Sequence, residues 1–214
     1  MPGLFLSLDG IDGTGKSTQC RLLVDWLKSQ GFPVVHCIDP GGTPLGEQLR
    51  EILLNGKDNI SMRAEALLFM ASRAELVARE ILPALTANQI VVSDRYLLAT
   101  VVYQGHAGQL PVEELWQVGR MATGGIEPDL TLVLDLPVED AIRRRGRDAD
   151  RMESRTLEYH RHVRDGFLTE VRRHSTKIHL VNAQATIDVI QERIRQQVLP
   201  LIHTFRSNLA GASS

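Results

Sequence analysis

The sequence predicts an α/β fold in which a five-stranded parallel sheet is flanked by helices. Five short apolar runs alternate with longer segments of helical periodicity. The runs are continuously apolar, as strands are when both faces of a sheet are covered. The 214 residues, 43% of them apolar and 23% charged, suit one domain with a sizeable core.

The elements follow in order along the chain. An apolar first strand, a polar turn at residues 9–15 and an amphipathic helix that ends at Gly31 form the first unit. The strands are predicted at residues 4–8, 33–38, 90–93, 130–136 and 178–181. The helices are predicted at residues 17–30, 47–54, 62–85, 112–121, 138–145, 157–173 and 187–205, with Pro83 near an end or a kink. Residues 1–206 form the predicted domain, and the small, polar residues 207–214 form a predicted disordered tail.

Composition narrows the function classes. The net charge of −2 argues against a general nucleic-acid binder. Cys20 and Cys37 form no metal-type pair, so free thiols are expected. No apolar run approaches the roughly 20 residues of a membrane span, and the N-terminus lacks the pattern of a secretion signal, so a cytoplasmic protein without a membrane partner is expected.

The strongest motif lies between the first strand and the first helix. It reads Gly10-Ile11-Asp12-Gly13-Thr14-Gly15-Lys16-Ser17-Thr18 and fits G-x-x-x-x-G-K-[ST], the phosphate-binding loop, in the strand-to-helix context that the mechanism requires. Its glycines allow backbone N–H groups to surround phosphate oxygens at a helix N-terminus. Lys16 is predicted to reach the β- and γ-phosphates of ATP, and the Ser17 hydroxyl is predicted to ligate Mg²⁺.

A second motif, Ser93-Asp94-Arg95-Tyr96, ends the third strand. The carboxyl ends of parallel strands meet at one edge of the sheet, so Asp94 is expected beside the loop, where it could hold Mg²⁺. Arg95 is predicted to grip a phosphate. The N-K-x-D motif of guanine-binding proteins is absent from the sequence, and the chain is short for a mechanical ATPase, so a small-molecule kinase is favoured.

Over nearly its whole length the chain resembles the bacterial thymidylate kinases, among the P-loop nucleoside monophosphate kinases. The stretches that carry the resemblance are LDGIDGTGKST, DPGGTPLGEQLR, AEALLFMASRAELV, VVSDRY, YQG at residues 103–105, PDLTLVLDLP and RDADRME. The resemblance implies transfer of the terminal phosphoryl group of ATP to dTMP, with Mg²⁺, by a homodimer.

The resemblance also implies roles for single residues. Asp12 matches a carboxylate near the 3′-hydroxyl of the acceptor, and Tyr103 matches a residue that crowds the 2′ position of the sugar. The other positions expected to bind the acceptor are Arg50 and Arg95 for its phosphate, Phe69 stacked on thymine, Arg73 on a pyrimidine carbonyl, and Thr100 and Gln104 on the base edge.

An arginine-rich segment, residues 143–155, resembles the lid that closes over ATP. In one type of this family the catalytic arginine lies in the phosphate-binding loop, and in the other it lies in the lid. Gly13 occupies the loop position here, so the chain resembles the lid-arginine type, and Arg147 and Arg151 are the predicted catalytic arginines. Such a charge would stabilise the transferring oxygens.

The chain departs from the family pattern on the acceptor side. Asp9 replaces the usual glutamate, the family's R-E-P-G-G-T begins here with Ile38 and Asp39, and Ala99 replaces a common serine. Asp39 is still expected to bind the acceptor, although the lost arginine removes one possible partner for it. Two alternatives therefore stay open: a P-loop kinase for another nucleotide or nucleoside, and a nucleotide-binding regulator with weak turnover.

Overall fold

The computed structural model describes residues 3–56, 59–145, 151–153 and 155–211. Five parallel strands form one sheet in the order β2-β3-β1-β4-β5. The strands are β1 (Leu4–Asp9), β2 (Val34–Ile38), β3 (Ile90–Asp94), β4 (Leu130–Asp135) and β5 (Ile178–Asn182). The predicted fold class and all five predicted strands are confirmed.

Helices cover both faces of the sheet. They are α1 (Lys16–Ser29), α2 (Pro44–Asn55), α3 (Met62–Leu76), α4 (Leu82–Thr86), α5 (Leu97–Thr100), α6 (Val112–Thr123), α7 (Val138–Arg145), α8 (Leu157–Arg173) and α9 (Ile187–Gly211). A π-helical segment, Val77–Ile81, joins α3 to α4, and a second, Val101–Ala107, extends α5.

The side chains of β1 show why the strands are continuously apolar. Leu6 and Leu8 are fully buried in a core shared with α1, α8 and α9, whereas Phe5 points into a second core with α3, α4 and α6. The polar Ser7 is also buried, and its hydroxyl forms a 2.8 Å hydrogen bond with that of Thr131 on β4. Because neither face of β1 meets water, this strand needs no polar alternation.

The helices predicted at residues 47–54 and 62–85 differ from those in the structure. Helix α2 begins at Pro44 instead of Glu47, because proline suits a first helical turn and Thr43 caps it by accepting from the Gly46 N–H at 2.9 Å. The single helix predicted at residues 62–85 is divided by the π-helical segment Val77–Ile81, and Pro83 lies in the first turn of α4.

Residues 207–211, the first part of the predicted tail, continue α9 in this structure. Leu209 packs against the main core, and the Ser207 hydroxyl donates to the His203 carbonyl at 3.0 Å, so these residues gain enough contact to stay helical. Residues 212–214 of the predicted tail lie outside the described residues.

Residues 97–107 form helical structure that the sequence analysis did not assign. The run from Leu97 to Tyr103 is buried throughout, so it lacks the polar face that gives a helix its 3.6-residue periodicity. This segment packs against α8 and α6 and carries Thr100, Tyr103 and Gln104 towards the sheet edge.

Both cysteines are buried free thiols, and burial raises the pKa of Cys37 to about 12.

Within the described ranges, no helix is long and apolar enough to cross a membrane.

The strand register determines where a site can form. Leu8 and Ile38 both pair with Asp94, so the ends of β1, β2 and β3 lie side by side. The acidic residues Asp9, Asp39 and Asp94 consequently meet at the carboxyl edge of the sheet, where α/β proteins bind ligands.

Candidate active site

The loop between β1 and α1 has the backbone of a phosphate cradle. Gly10, Gly13 and Gly15 have φ values of 131°, 90° and 92°, a region that favours glycine. A Cβ atom at Gly13 would lie 2.1 Å from the Ala141 carbonyl oxygen, so no larger residue fits there. Lys16 is nearly buried and donates to the Ile11 carbonyl at 2.9 Å, which folds its ammonium group over the loop.

Ser17 and Asp94 form the candidate cation site. The Ser17 hydroxyl donates to Asp94 Oδ2 at 2.5 Å, from the start of α1 to the end of β3. A hydroxyl and a carboxylate are hard oxygen ligands of the kind that Mg²⁺ prefers. The predicted position of Asp94 beside the loop agrees with this contact, and the two residues fit the ion chemically.

Arg95 lies at the centre of a second charged group. Its guanidinium pairs with the Asp12 carboxylate and donates to the Gly10 carbonyl at 3.1 Å. Arg95 has a φ of 71°, which is uncommon for a residue with a side chain, and its N–H donates to the Leu8 carbonyl at 2.9 Å. This backbone conformation lies at the expected ligand edge, as functional strain often does.

Tyr103 completes the Arg95 group. Its hydroxyl donates to Asp12 Oδ2 at 2.9 Å, and its ring centre lies 5.0 Å from the Arg95 guanidinium carbon. Burial would raise the pKa of Asp12, but Arg95, Lys16 and the Tyr103 hydroxyl together hold it well below its usual range. Asp12 is thus an ionised acceptor held in one position.

The acceptor side of the cleft is built around Arg73. This side chain is 1% exposed, and its Nε donates to Asp39 Oδ2 at 2.6 Å. Its Nη2 donates to the Tyr96 carbonyl at 3.2 Å and to the Thr100 hydroxyl at 3.0 Å. Position 38 carries isoleucine and not the arginine usual in the family, but Asp39 still has a buried arginine partner. That partner is Arg73, which comes from α3.

One cavity of about 420 Å³ joins the loop to the acceptor side. Most of the residues predicted to bind ligands line it: Asp12, Gly13, Gly15, Lys16, Ser17, Thr18, Asp39, Arg50, Phe69, Arg73, Asp94, Arg95, Thr100, Tyr103 and Gln104. Gly10, Ile11 and Thr14 form the inner part of the loop, where the Thr14 hydroxyl donates to the Ile11 carbonyl at 2.9 Å. Arg50 donates to the Pro40 carbonyl at 2.6 Å beside the cavity.

The two predicted lid arginines have different outcomes. Arg147 lies outside the described residues, as do the other residues at 146–150 and residue 154 of the predicted lid. Arg151 donates to the Leu53 carbonyl at 2.8 Å and to Glu65 at 2.9 Å, so in this structure it lies on the acceptor side. Arg144, which the prediction did not select, lines the cavity and donates to the Ala183 carbonyl at 3.0 Å.

Glu65 is a buried site residue that the sequence analysis missed. Its side chain is 1% exposed and receives hydrogen bonds from Gln104, Arg151 and Arg155. On sequence alone it resembles a surface glutamate in the first turn of α3. Its spacing of four from Phe69 and eight from Arg73 places it on the same helix face, and this spacing is the signal that could have revealed it.

The fold and the cleft define a P-loop nucleoside monophosphate kinase. The profile of the thymidylate kinase family matches residues 8–194. A thymidylate kinase of Rhodopirellula baltica is 46% identical over 193 residues, which are 90% of this chain and 79% of the relative. One of Symbiobacterium thermophilum is 46% identical over 202 residues, 92% of this chain and 94% of the relative.

A solved structure agrees with these relatives. The crystal structure of a thymidylate kinase from Ehrlichia chaffeensis superposes with a TM-score of 0.76 at 27% identity, and the match covers 92% of this chain and 98% of that one. The chain belongs to the thymidylate kinase family.

Proposed function

We infer that this protein transfers the γ-phosphoryl group of ATP to dTMP, giving ADP and dTDP. The observation that carries this inference is the single cavity in which Lys16 of the phosphate cradle lies with Phe69 and Arg73 of the acceptor side. A donor site and an acceptor site in one cavity allow direct transfer, with catalysis by positioning and charge stabilisation.

On the donor side, the loop at residues 10–18 binds the phosphates of ATP through its backbone N–H groups. Lys16 carries positive charge to the transferring group. Its pKa is lowered by burial and by Arg95, while nearby carboxylates, Asp12 first, oppose that shift. Ser17 and Asp94, whose oxygens lie 2.5 Å apart, would hold Mg²⁺, and the ion would neutralise charge on the phosphate oxygens.

On the acceptor side, Phe69 offers a flat ring for thymine to stack on. Arg73 and Thr100, which share a 3.0 Å hydrogen bond, offer polar groups to one edge of the base. Arg50 and Arg95 bind the acceptor phosphate, and Asp12 receives the 3′-hydroxyl. Asp39 supports Arg73 through their ion pair. Tyr103 fills space beside the sugar, held in place by its hydrogen bond to Asp12.

A lid arginine is part of the proposal. Arg147 remains a candidate from the sequence, and Arg151 could serve after leaving Glu65 when ATP binds. Charge delivered from a lid would stabilise the transition state and exclude water from the cleft. The homodimer implied by the family resemblance and the cytoplasmic location expected from the sequence belong to the same proposal. Among the described residues of the cleft, no contact favours the alternative acceptors or the regulator hypothesis.

Transfer of labelled phosphate tests the proposal. The protein is incubated with γ-labelled ATP, Mg²⁺ and dTMP, and labelled dTDP is separated from labelled inorganic phosphate. The expected result is labelled dTDP that depends on protein, dTMP and Mg²⁺, with little phosphate release when dTMP is omitted. Label found only in inorganic phosphate would contradict a kinase and favour an ATPase.

A further inference from the structure

Gln104 presents a buried hydrogen-bond acceptor to the cavity. The residue is 1% exposed and lines the cavity beside Thr100. Its Nε2 donates to Glu65 Oε1 at 2.9 Å, whereas its Oε1 is buried and has no hydrogen-bond partner among the described residues. A buried carbonyl oxygen without a partner is costly, so this atom is suited to a ligand that donates.

The hydrogen bonds of Glu65 determine which end of the Gln104 amide faces Glu65 and which end faces the cavity. Arg155 donates to both Glu65 oxygens, at 2.9 and 2.8 Å, and Arg151 donates to Oε2 at 2.9 Å. Both Glu65 oxygens accept from guanidinium groups, and a carboxylate bound in this way offers only acceptors. The amide of Gln104 must therefore turn its NH₂ group towards Glu65.

The arginines that hold Glu65 are themselves held in place. The guanidinium carbon of Arg155 lies 4.6 Å from the ring centre of Tyr159, and the Tyr159 hydroxyl donates to the Tyr103 carbonyl at 2.7 Å. Arg151 also donates to the Leu53 carbonyl at the end of α2. Glu65 is thus fixed from α2, α8 and the segment that carries Gln104, and it keeps Arg155 even if Arg151 moves.

We propose that Glu65 is a positioning residue for base selection: it holds the Gln104 amide so that Oε1 faces the acceptor pocket and selects a base with a ring N–H. Thymine and uracil carry such a donor at N3, whereas cytosine has an acceptor there. A pyrimidine without the N–H leaves two acceptors facing each other, which a buried site rejects strongly. This assignment rests on the proposed function and specifies its acceptor class.

The test compares two acceptors that share the same methyl group. dTMP and 5-methyl-dCMP differ at C4 and N3, and kcat/KM is measured for each with wild type, Glu65→Gln, Gln104→Ala and the double variant. A glutamine at position 65 can either donate or accept, so it no longer fixes the orientation of the Gln104 amide. Glu65→Gln is expected to lower the dTMP preference about tenfold in the wild-type background and to leave the ratio unchanged in the Gln104→Ala background.

Two outcomes overturn the assignment. If Glu65→Gln lowers kcat/KM for both acceptors by the same factor, the role of Glu65 is structural. If the ratio falls equally with and without Gln104, Glu65 acts through another group. Glu75→Gln, which removes a partly exposed carboxylate of α3 paired with the exposed Arg79, is the matched control and should leave the ratio unchanged.

A measurement on the wild-type protein covers the case in which Glu65→Gln fails to fold. The NH₂ protons of Gln104, identified by their loss in Gln104→Ala, should exchange slowly with solvent, both without ligand and with dTMP bound. The NH₂ group of Gln196, which donates to Glu192 on the surface at 3.1 Å, provides the exposed comparison. Exchange of Gln104 as fast as that of Gln196, or loss of protection with dTMP, would overturn the assignment.

Failure of the proposed function has a different signature. A wild-type protein that does not phosphorylate dTMP contradicts the function, and the orientation of Gln104 is then decided by the exchange measurement alone. A wild-type protein that is active on dTMP but whose ratio does not respond to Glu65→Gln contradicts only the role of Glu65.

Discussion

Arg73 and Asp39 form a buried ion pair beneath the acceptor side of the cleft. Their Nε and Oδ2 atoms lie 2.6 Å apart, and the two side chains are 1% and 0% exposed. Burial raises the pKa of Asp39, and the charge and hydrogen bond of Arg73 act against that rise. The pair joins the end of β2 to α3, so it fixes the guanidinium that faces the acceptor pocket.

Breaking this pair is expected to destabilise the protein. Asp39→Asn leaves the Arg73 charge buried without its partner, and the free energy of unfolding in urea should fall by about 3 kcal/mol. Glu75→Gln breaks the exposed pair with Arg79 and should change it by less than about 1 kcal/mol. Equal, small changes in the two variants would mean that the buried pair adds no specific stability.

Asp9 gives a prediction about pH. The carboxylate is fully buried, neither oxygen has a hydrogen-bond partner among the described residues, and burial raises its pKa from 3.8 to about 7 in spite of Arg95 and Lys16. Between these two pH values the folded state keeps a proton that the unfolded state has released. The contribution of Asp9 to stability therefore decreases as pH rises through this window.

Asp9→Asn isolates that contribution. Urea unfolding of wild type and variant is compared at about pH 5 and about pH 8, which flank the upper part of the window. The wild type should lose more stability than the variant as pH rises, because the amide does not titrate. A parallel loss in both proteins would show that other groups, and not Asp9, carry the pH dependence.

Lys16 is expected to be essential for turnover. Lys16→Ala should lower kcat at least about a hundredfold, because the charge near the transferring phosphoryl group is lost. Lys28→Ala removes an exposed lysine from the same helix and should leave kcat near the wild-type value. Near-normal turnover by Lys16→Ala would contradict the role of the phosphate cradle in catalysis.

Tyr103 tests the proposed exclusion of a 2′-hydroxyl. Tyr103→Phe keeps the ring over Arg95 but loses the hydrogen bond to Asp12, whereas Tyr103→Ala loses both. If bulk beside the sugar is the main role, Tyr103→Ala should reduce activity and the preference for the deoxyribonucleotide more than Tyr103→Phe. The comparison uses kcat/KM for dTMP and for its ribonucleotide counterpart, and the reverse order would refute the role.

Sequence reasoning predicted the sheet and the donor side because their signals are local. The glycines and Lys16 occur in one short motif, and the strand ends place Asp94 beside them. The helical run at residues 97–107 was missed because its burial on all sides removes the amphipathic pattern. The helix after residue 206 was missed because the contact of Leu209 with the core is tertiary.

The pairing of charges could not be predicted in the same way. The partners Arg73 and Asp39 are 34 residues apart, and Glu65 meets Arg155 across 90 residues. Their contacts depend on how α3 packs against the sheet and against the segment before α8, which no local pattern records. The same packing explains how Asp39 keeps an arginine partner although the preceding position is Ile38.

Initial rates of ADP formation with Mg²⁺ and ATP test the central claim most directly. Each of dTMP, dUMP, UMP, CMP, AMP and GMP is supplied separately over a range of concentrations, with a control that lacks an acceptor. The account predicts the highest kcat/KM for dTMP and a rate near zero without acceptor. Equal rates with every acceptor and with none, or a clear preference for a purine nucleotide, would contradict it.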